Sequence, residues 1–135
     1  MKTNIDSIFA AGDVIETFDF MGNPTRSSMA TVANYQGKLV GYNIDENTEE
    51  YRGTLLSSSI EIFGEVFAKT GLTEKDLNRL KIKYKKIIVK APQISKTFKN
   101  AKDITMKIIF DKTGIILGSQ AIGPKTTEKK LPVLL

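Results

Sequence analysis

Two apolar segments separated by a short turn constrain the fold of this chain more than any other feature. Residues 104–111 and 115–122 are rich in isoleucine, and each has the length of a β-strand. The turn Asp111-Lys112-Thr113-Gly114 joins them and contains the residue types that favour a tight hairpin. The pattern therefore predicts an antiparallel hairpin, and with it a sheet in the second half of the chain.

The other segments of the second half predict an α+β arrangement. Residues 58–67 alternate partly between polar and apolar side chains, which is typical of a strand, and residues 81–91 predict a strand with a basic edge. Thr73 is a suitable N-cap for a short helix over residues 74–79. Asp76 adds a negative charge near the N-terminus of this helix, where the helix dipole favours it.

The first half predicts a strand, a loop and a helix. Residues 7–13 form a short apolar run closed by Gly-Asp, which is the form of a buried strand. A loop is predicted over residues 17–28, with Gly22-Asn23-Pro24 as its turn. A helix follows over residues 29–44, with Ser27 or Ser28 as its N-cap.

The predicted helix carries both an apolar face and two glycines. Apolar residues recur along it at helical spacing: Val32, Tyr35, Leu39, Val40 and Ile44. Gly37 and Gly41 each cost about 1 kcal/mol relative to alanine in a helix interior. We therefore expect another segment of backbone to approach the helix closely at these two positions.

The composition excludes several kinds of site. The chain of 135 residues has no Cys and no His, so disulfides, thiolate or imidazole metal ligands and a Ser-His-Asp triad are absent. No apolar run approaches the length of a membrane span. The N-terminal segment carries Asp6 and has no sustained apolar region, so it does not predict a signal peptide. We expect a cytoplasmic protein that does not contact a membrane.

Charge is distributed unevenly along the chain. Residues 1–53 carry four basic and eight acidic side chains, whereas residues 54–135 carry sixteen basic and seven acidic ones. This asymmetry indicates either a surface for an anionic partner or two parts of different origin. We favour two parts, joined at the polar stretch 45–50. The domains expected are residues 1–50 and 51–135.

The basic segment 81–90 also has two interpretations. Interleaved lysines and aromatic residues can bind nucleic acid. However, Lys81, Lys83 and Lys85 would lie on one face of a strand, and lysines of this kind commonly protect a sheet edge. The chain has 17 Lys and 3 Arg, which favours a solvated edge over phosphate recognition. We expect no nucleic-acid partner.

Residues 3–13, TNIDSIFAAGD, resemble the second flavin-binding motif of the FAD-dependent pyridine nucleotide–disulfide oxidoreductases. In that family a Thr precedes an apolar strand that ends in Ala-x-Gly-Asp, and the Asp accepts hydrogen bonds from the ribityl chain of FAD. The resemblance implies this role for Asp13, with Gly12 allowing close backbone approach. On this motif alone, an ordinary strand that ends in a Gly-Asp turn is the alternative.

Residues 29–38, MATVANYQGK, are similar to the next helix of the family, whose N-terminus points at the flavin ring. The resemblance implies that Met29 and Ala30 present backbone N–H groups near the ring. The positive end of a helix dipole suits the anionic side of reduced flavin. Simple packing of the helix is the alternative.

Three further blocks resemble the C-terminal dimerisation domain of the same family. They are residues 66–74, residues 103–111 and residues 114–123, the last with a Leu-Gly-x-Gln-x-x-Gly pattern. The resemblance implies a homodimer formed through residues from about 54 to 135. Many apolar side chains for one small sheet support a dimer through the sheet face: Phe63, Phe67, Ile88, Ile108, Phe110, Ile116 and Leu117.

Some features of the family are missing from this chain. It has no Gly-x-Gly-x-x-Gly fingerprint and no redox cysteine, and it stops at residues 131–135, where the family domain continues through further helix. Residues 95–100 occupy the position of a Tyr-Tyr-Pro-like segment in coenzyme-A-disulfide reductases and NADH oxidases. Here only Phe98 is aromatic, and we expect it to pack on its own domain, which weighs against a coenzyme A substrate.

The resemblance implies part of an FAD-dependent NAD(P)H oxidoreductase, similar to the NADH oxidase and coenzyme-A-disulfide reductase branch. The fold expected is α+β: the end of an FAD-binding α/β domain, followed by an antiparallel-sheet dimerisation domain with short helices. FAD and NAD(P)H are the implied cofactor and co-substrate. The chain carries no catalytic or metal-binding residue, so we expect no turnover by the chain alone. The alternative is a stand-alone α+β interaction module with a basic surface and no activity.

Overall fold

The computed structural model describes residues 1–45, 49–95 and 97–131. The chain forms two compact units, Met1–Leu55 and Leu56–Leu135. Neither α-helix of the described residues combines the length and the apolar character needed to cross a bilayer. The predicted α+β class is confirmed, because an antiparallel sheet with few and short helices dominates the structure.

The first unit is built around one helix and a small hairpin. Its elements are β1 (Thr17–Phe18), β2 (Pro24–Thr25) and α1 (Ala30–Asn43). The strands pair antiparallel around the predicted turn at Gly22-Asn23. Asp19 is buried and stabilises this turn, because its Oδ1 accepts hydrogen bonds of 2.9 Å from the backbone N–H groups of Met21 and Asn23.

The buried strand predicted over residues 7–13 is wrong. Among the described residues this segment makes a single isolated antiparallel bridge, between Lys2 and Phe9, and Ile8 is 47% exposed. A strand needs neighbouring strands to satisfy its backbone and bury its side chains. Among the residues described in this unit, the strands are two residues long and pair with each other.

Helix α1 is confirmed in extent, but its N-cap and its buried face differ from the prediction. The N-cap is Met29, and no side chain caps the helix. The buried side chains are Gln36, Leu39 and Asn43, whereas Ile44 is exposed. Asn43 is buried because its amide exchanges two hydrogen bonds with the backbone of Glu49.

The close backbone approach expected at Gly37 and Gly41 is also wrong. In the described part of the chain, no atom lies within 4 Å of the position that a Cβ would take at either glycine. Both glycines lie on an exposed side of α1.

The second unit is an antiparallel sheet with one short helix. Its elements are β3 (Ser58–Ile62), β4 (Glu65–Gly71), α2 (Glu74–Arg79), β5 (Lys85–Pro92), β6 (Asp103–Phe110), β7 (Ile116–Gly123) and a 3-10 helix (Thr127–Lys130). Within the described residues the strand order is β3-β4-β7-β6-β5. The predicted hairpin is therefore the β6–β7 pair near the middle of the sheet.

The single strand predicted over residues 58–67 is in fact a hairpin. Phe63 and Gly64 form its turn with φ values of 51° and 79°. Positive φ at both central residues matches the right-handed twist of the paired strands. For a phenylalanine this backbone conformation costs about 1–2 kcal/mol.

The basic strand begins later than predicted, at Lys85. Lys81 has a φ of 56° and, with Lys83, precedes the strand, so the three lysines do not share one strand face. β5 is an edge strand whose residues are all exposed. Phe98, in the following loop, is 62% exposed and does not pack on its own domain as expected.

The short helix predicted in the second unit is confirmed, whereas the tail differs from the prediction. α2 spans Glu74–Arg79 as predicted, and Thr73 and Asp76 form a reciprocal capping box. The tail, predicted as the start of a helix over residues 127–135, forms the 3-10 helix Thr127–Lys130, and residues 132–135 lie outside the described residues.

Candidate functional site

Gly12 lies directly against α1. Its backbone N–H donates a 2.8 Å hydrogen bond to Oε1 of Gln36. Its φ is +85°, and a Cβ at this position would lie 3.7 Å from Cβ of Ala33. Gly12 is therefore held beside the first turn of α1, and Asp13 follows it on an exposed turn.

Gln36 holds this arrangement together, although none of the motifs in the sequence implies a role for it. Its side chain is only 1% exposed. Besides accepting from Gly12, it donates a long hydrogen bond of 3.5 Å to Oγ1 of Thr17. The signal was available, because Gln36 shares a helix face with Leu39 and Asn43, and a polar side chain on a buried face requires partners.

The N-terminus of α1 is open. Met29 has an extended backbone, with φ −110° and ψ 122°, its side chain makes no capping bond, and the first turn contains no acidic residue. The leading N–H groups of a helix have no partner within the helix. The positive end of the α1 dipole is therefore available to an electronegative ligand atom near Met29 and Ala30.

Two buried hydroxyl groups in the same unit have no hydrogen-bond partner among the described residues. They belong to Ser27, two residues before the N-cap, and to Tyr51. Tyr51 contacts the ring of Phe18 edge-to-face, with ring centroids 5.3 Å apart. Buried hydroxyl groups are rarely left unsatisfied, so these two indicate places where a further polar group is needed.

The structure thus brings some of the predicted site residues together. Gly12 is in contact with α1, whose first residues are Met29 and Ala30, and Asp13 adjoins Gly12 in the chain. The arrangement offers a glycine, a carboxylate and the first backbone N–H groups of α1, which have no partner within the helix. Among the described residues, no group of three or more potential metal-ligating side chains occurs.

In the second unit the dominant polar cluster centres on Glu74 of α2. Its carboxylate accepts hydrogen bonds from Nζ of Lys107 at 2.6 Å, Nζ of Lys86 at 2.7 Å and the hydroxyl of Tyr84 at 3.1 Å. These contacts hold α2 against β5 and β6. The Lys107 ammonium, followed by that of Lys86, lowers the pKa of Glu74 from 4.5 to about 2.

We expect this cluster to make the free energy of unfolding depend on pH in the acid range. Because the pKa of Glu74 is lower in the folded state, its contribution is fully present above pH 4.5 and is lost as the pH falls towards 2. Glu74→Gln should therefore lower stability at neutral pH and make stability fall less between pH 4.5 and 2. Urea unfolding followed across this pH range measures both effects.

The matched control for Glu74 is Glu65→Gln, because Glu65 is an exposed residue of the neighbouring strand β4. Other carboxylates titrate in both variants; for example, the hydroxyl of Thr113 lowers the pKa of Asp111 by hydrogen bonding. The informative quantity is therefore the difference between the two variants in how the free energy of unfolding changes with pH. Equal acid dependence in wild type and Glu74→Gln would contradict the role given to this cluster.

The glycines of the Leu-Gly-x-Gln-x-x-Gly pattern serve close packing. A Cβ at Gly118 would lie 2.0 Å from the carbonyl oxygen of Leu72. A Cβ at Gly123 would lie 2.8 Å from Oγ1 of Thr127 and 3.1 Å from Cγ1 of Ile104. Leu72 also donates its backbone N–H to the carbonyl of Leu117, so the segment after β4 runs directly over β7.

Comparison with known proteins places the chain in a family. The dimerisation domain of the pyridine nucleotide-disulphide oxidoreductases matches residues 61–131. An NADH oxidase of Methanocaldococcus jannaschii is 31% identical over 136 residues, covering 99% of this chain and 30% of that protein. The chain thus spans about a third of the length of this relative.

Two solved structures are similar over nearly the whole chain. A NAD-dependent persulfide reductase from A. fulgidus superposes with a TM-score of 0.92 and 27% identity, covering 99% of this chain and 25% of that one. The reduced CoADR-RHD protein of Bacillus anthracis gives a TM-score of 0.88 with 36% identity, covering 93% and 23%.

The chain belongs to the pyridine nucleotide-disulphide oxidoreductase family and contains its dimerisation domain. The resemblance inferred from the sequence motifs is confirmed, including its assignment to the NADH oxidase and coenzyme-A-disulfide reductase branch. These matches support the oxidoreductase interpretation rather than the alternative of a stand-alone interaction module.

Proposed function

We propose that this chain forms one wall of the FAD site and the dimer contact of a flavin-dependent NAD(P)H oxidoreductase. In this proposal residues 1–50 are the end of the FAD-binding domain and residues 51–135 belong to the dimerisation domain. The observation that carries the proposal is the hydrogen bond that holds Gly12 to Gln36 beside the open N-terminus of α1. The similarity to an NADH oxidase and a persulfide reductase supports it.

The residues of the first unit suit a flavin. The exposed carboxylate of Asp13 can accept hydrogen bonds from ribityl hydroxyl groups, and the N–H groups at Met29 and Ala30 can donate to the electronegative edge of the ring. The unsatisfied hydroxyl of Ser27 lies two residues before the helix and adds a polar group at this end. Bound FAD would supply the redox chemistry, by accepting hydride from NAD(P)H and passing electrons to an acceptor.

Within this proposal the chain's own residues position the cofactor. Gln36 fixes the backbone of Gly12, which lies beside Ala33 in the preceding turn of α1. The small residue at position 12 leaves the backbone accessible. The chain has no Gly-x-Gly-x-x-Gly fingerprint and no cysteine, so we expect no NAD(P)H consumption by the isolated chain above that of free flavin.

The test is Asp13→Ala in the complete protein that contains this chain. A charge-assisted hydrogen bond contributes about 1.5–3 kcal/mol, which corresponds to roughly ten- to a hundredfold in affinity. We expect FAD affinity to fall by that factor, measured by the quenching of flavin fluorescence on titration.

The matched control is Glu16→Ala, which removes an exposed acid three residues further along the same segment. This substitution should leave FAD affinity within about twofold of the wild-type value, since Glu16 lies outside the proposed contacts. If Asp13→Ala and Glu16→Ala bound FAD equally well, the assignment of Asp13 would be overturned.

Assembly and location are parts of the same proposal. The dimerisation domain matched over residues 61–131 supports a homodimer formed through residues from about 54 to 135. A cytoplasmic location is proposed because NAD(P)H, the implied co-substrate, is a metabolite of the cell interior. No nucleic-acid or membrane partner is included in the proposal.

A further inference from the structure

Met29 is an exposed methionine at the N-terminus of α1. It is 36% exposed and is the N-cap residue of the helix, with an extended backbone at φ −110° and ψ 122°. The first N–H groups of a helix need acceptors from outside the helix, and the Met29 side chain makes no capping bond. A thioether sulfur is only a weak hydrogen-bond acceptor. The helix therefore begins at a residue type that caps it poorly.

A buried hydroxyl group close to this end of α1 also needs a partner. Ser27 is 8% exposed, and its Oγ has no hydrogen-bond partner among the described residues. Ser27 lies two positions before Met29 in the chain. Since buried hydroxyl groups are nearly always paired, the start of α1 carries unsatisfied donors both in its backbone and in a neighbouring side chain. A strong acceptor at this end would be stabilised.

Oxidation converts the thioether of a methionine into such an acceptor. Hydrogen peroxide, which forms when O₂ takes two electrons and two protons from a reduced flavin, transfers one oxygen atom to the sulfur. The O–O bond breaks and an S–O bond forms; the sulfur loses two electrons and the peroxide is reduced to water. The product, methionine sulfoxide, is polar, and its oxygen accepts hydrogen bonds. At an N-cap it would supply the kind of oxygen that Ser, Asp and Asn side chains supply there.

We propose that Met29 is an oxidation site that controls flavin binding, because its sulfoxide caps α1 and competes with FAD for the same N–H groups. This inference rests on the proposed flavin site and adds to it a modification and its consequence. Oxidation of Met29 should stabilise the flavin-free chain and weaken the binding of FAD. A modification that merely disturbed the structure would lower both the stability and the affinity, so opposite signs identify the competition.

Met21 is the matched comparison for Met29. It is 43% exposed and lies in the turn between β1 and β2, away from any helix end of the described residues. The complete protein is prepared without flavin as the Met21→Leu and Met29→Leu variants, and both are treated with hydrogen peroxide. The first variant retains the sulfur at position 29 and the second retains the sulfur at position 21, whereas Met1 and Met106 are common to both. Peptide mass spectrometry measures the sulfoxide at each position.

The two oxidised variants should differ in their affinity for FAD. We expect oxidised Met21→Leu to bind FAD at least about fivefold more weakly than before treatment, a factor that corresponds to one helix-capping bond. Oxidised Met29→Leu should keep its FAD affinity within about twofold. Methionine sulfoxide reductase should restore the affinity of Met21→Leu, because it returns the sulfoxide to the thioether. Equal losses in the two variants, or a loss that the reductase does not reverse, would overturn the inference.

A second measurement needs no oxidant. Met29→Asn places a strong N-cap residue at the same position, and Met29→Leu keeps an apolar side chain there. We expect Met29→Asn to raise the midpoint of thermal unfolding of the flavin-free chain by roughly 4 °C and to weaken FAD binding by the complete protein at least about fivefold. Met29→Leu should leave both quantities near their wild-type values. If Met29→Asn lowered the unfolding midpoint together with the affinity, the competition would be excluded.

The outcomes separate failure of this inference from failure of the proposed flavin site. If Asp13→Ala weakens FAD binding but neither Met29→Asn nor oxidation of Met29 does so, the competition at α1 is excluded and the flavin site stands. If none of the three changes alters FAD affinity, the proposed flavin site and this inference fail together. Flavin fluorescence titration of the complete protein measures all three affinities.

Discussion

Replacement of Gly118 by alanine is expected to destabilise the second unit by about 3 kcal/mol or more, at the upper end of the range for overpacking. A Cβ at this position would lie 2.0 Å from the carbonyl oxygen and 2.8 Å from the nitrogen of Leu72. Both are backbone atoms, and Leu72 is itself hydrogen-bonded to Leu117, so neither can move without breaking the contact between β7 and the segment after β4. Urea unfolding monitored by circular dichroism measures the loss.

Gly37→Ala in α1 is the control for Gly118→Ala. Gly37 lies in the interior of a helix, and no described atom approaches its Cβ position within 4 Å. Alanine there should stabilise the first unit by up to about 1 kcal/mol, since glycine is the weaker helix former. We therefore expect stability to fall in Gly118→Ala and to rise in Gly37→Ala. If Gly118→Ala changed stability by less than about 1 kcal/mol, the close approach seen here would be wrong.

Leu77→Ala is expected to cost about 3 kcal/mol, within the range measured for buried leucines. Leu77 is the buried residue of α2 and is 0% exposed. The helix is six residues long, so it depends on this side chain and on the contacts of Glu74 to stay in place. The expected loss is therefore large for so small an element, and thermal and urea unfolding both report it.

The comparison variant for Leu77 is Asn78→Ala, which changes the next residue on the exposed side of α2. It should change stability by no more than about 0.5 kcal/mol. Equal losses for the two variants would mean that α2 is not held by the burial of Leu77.

The close approaches at Gly118 and Gly123 account for both glycines of the pattern in β7. In the Leu-Gly-x-Gln-x-x-Gly pattern, both glycines lie where backbone or side-chain atoms leave no space for a Cβ. Gln120 lies between them and pairs with Lys107 of β6. The two glycines therefore allow neighbouring segments of the dimerisation domain to pack closely against β7. The proposed cofactor contacts lie in the first unit instead.

Much of the secondary structure was predictable from the sequence because its signals are local. The β6–β7 hairpin follows from two apolar segments around a turn ending in Gly114, and α2 follows from the capping box of Thr73 and Asp76. The extent of α1 was also predicted to within one residue at each end. In each case the interactions that define the element lie within a few residues of one another.

The elements that were predicted wrongly depend on partners distant in the sequence. Residues 7–13 have the composition of a buried strand, but a strand is formed only where neighbours pair with it. The pattern of residues 58–67 predicts one strand, because the left-handed turn at Phe63 violates the preference of that residue type. Pairing across the sheet compensates for the strain.

By itself, the sequence determined the family, the α+β class and the positions of the local elements. Motifs, caps and turns depend on residues that are contiguous in the chain. Only the tertiary structure decided that Gln36 holds Gly12 to α1 and that Glu74 binds both Lys86 and Lys107. These contacts join residues 12 to 33 positions apart. Their geometry depends on how the sheet and helices pack, which no local pattern specifies.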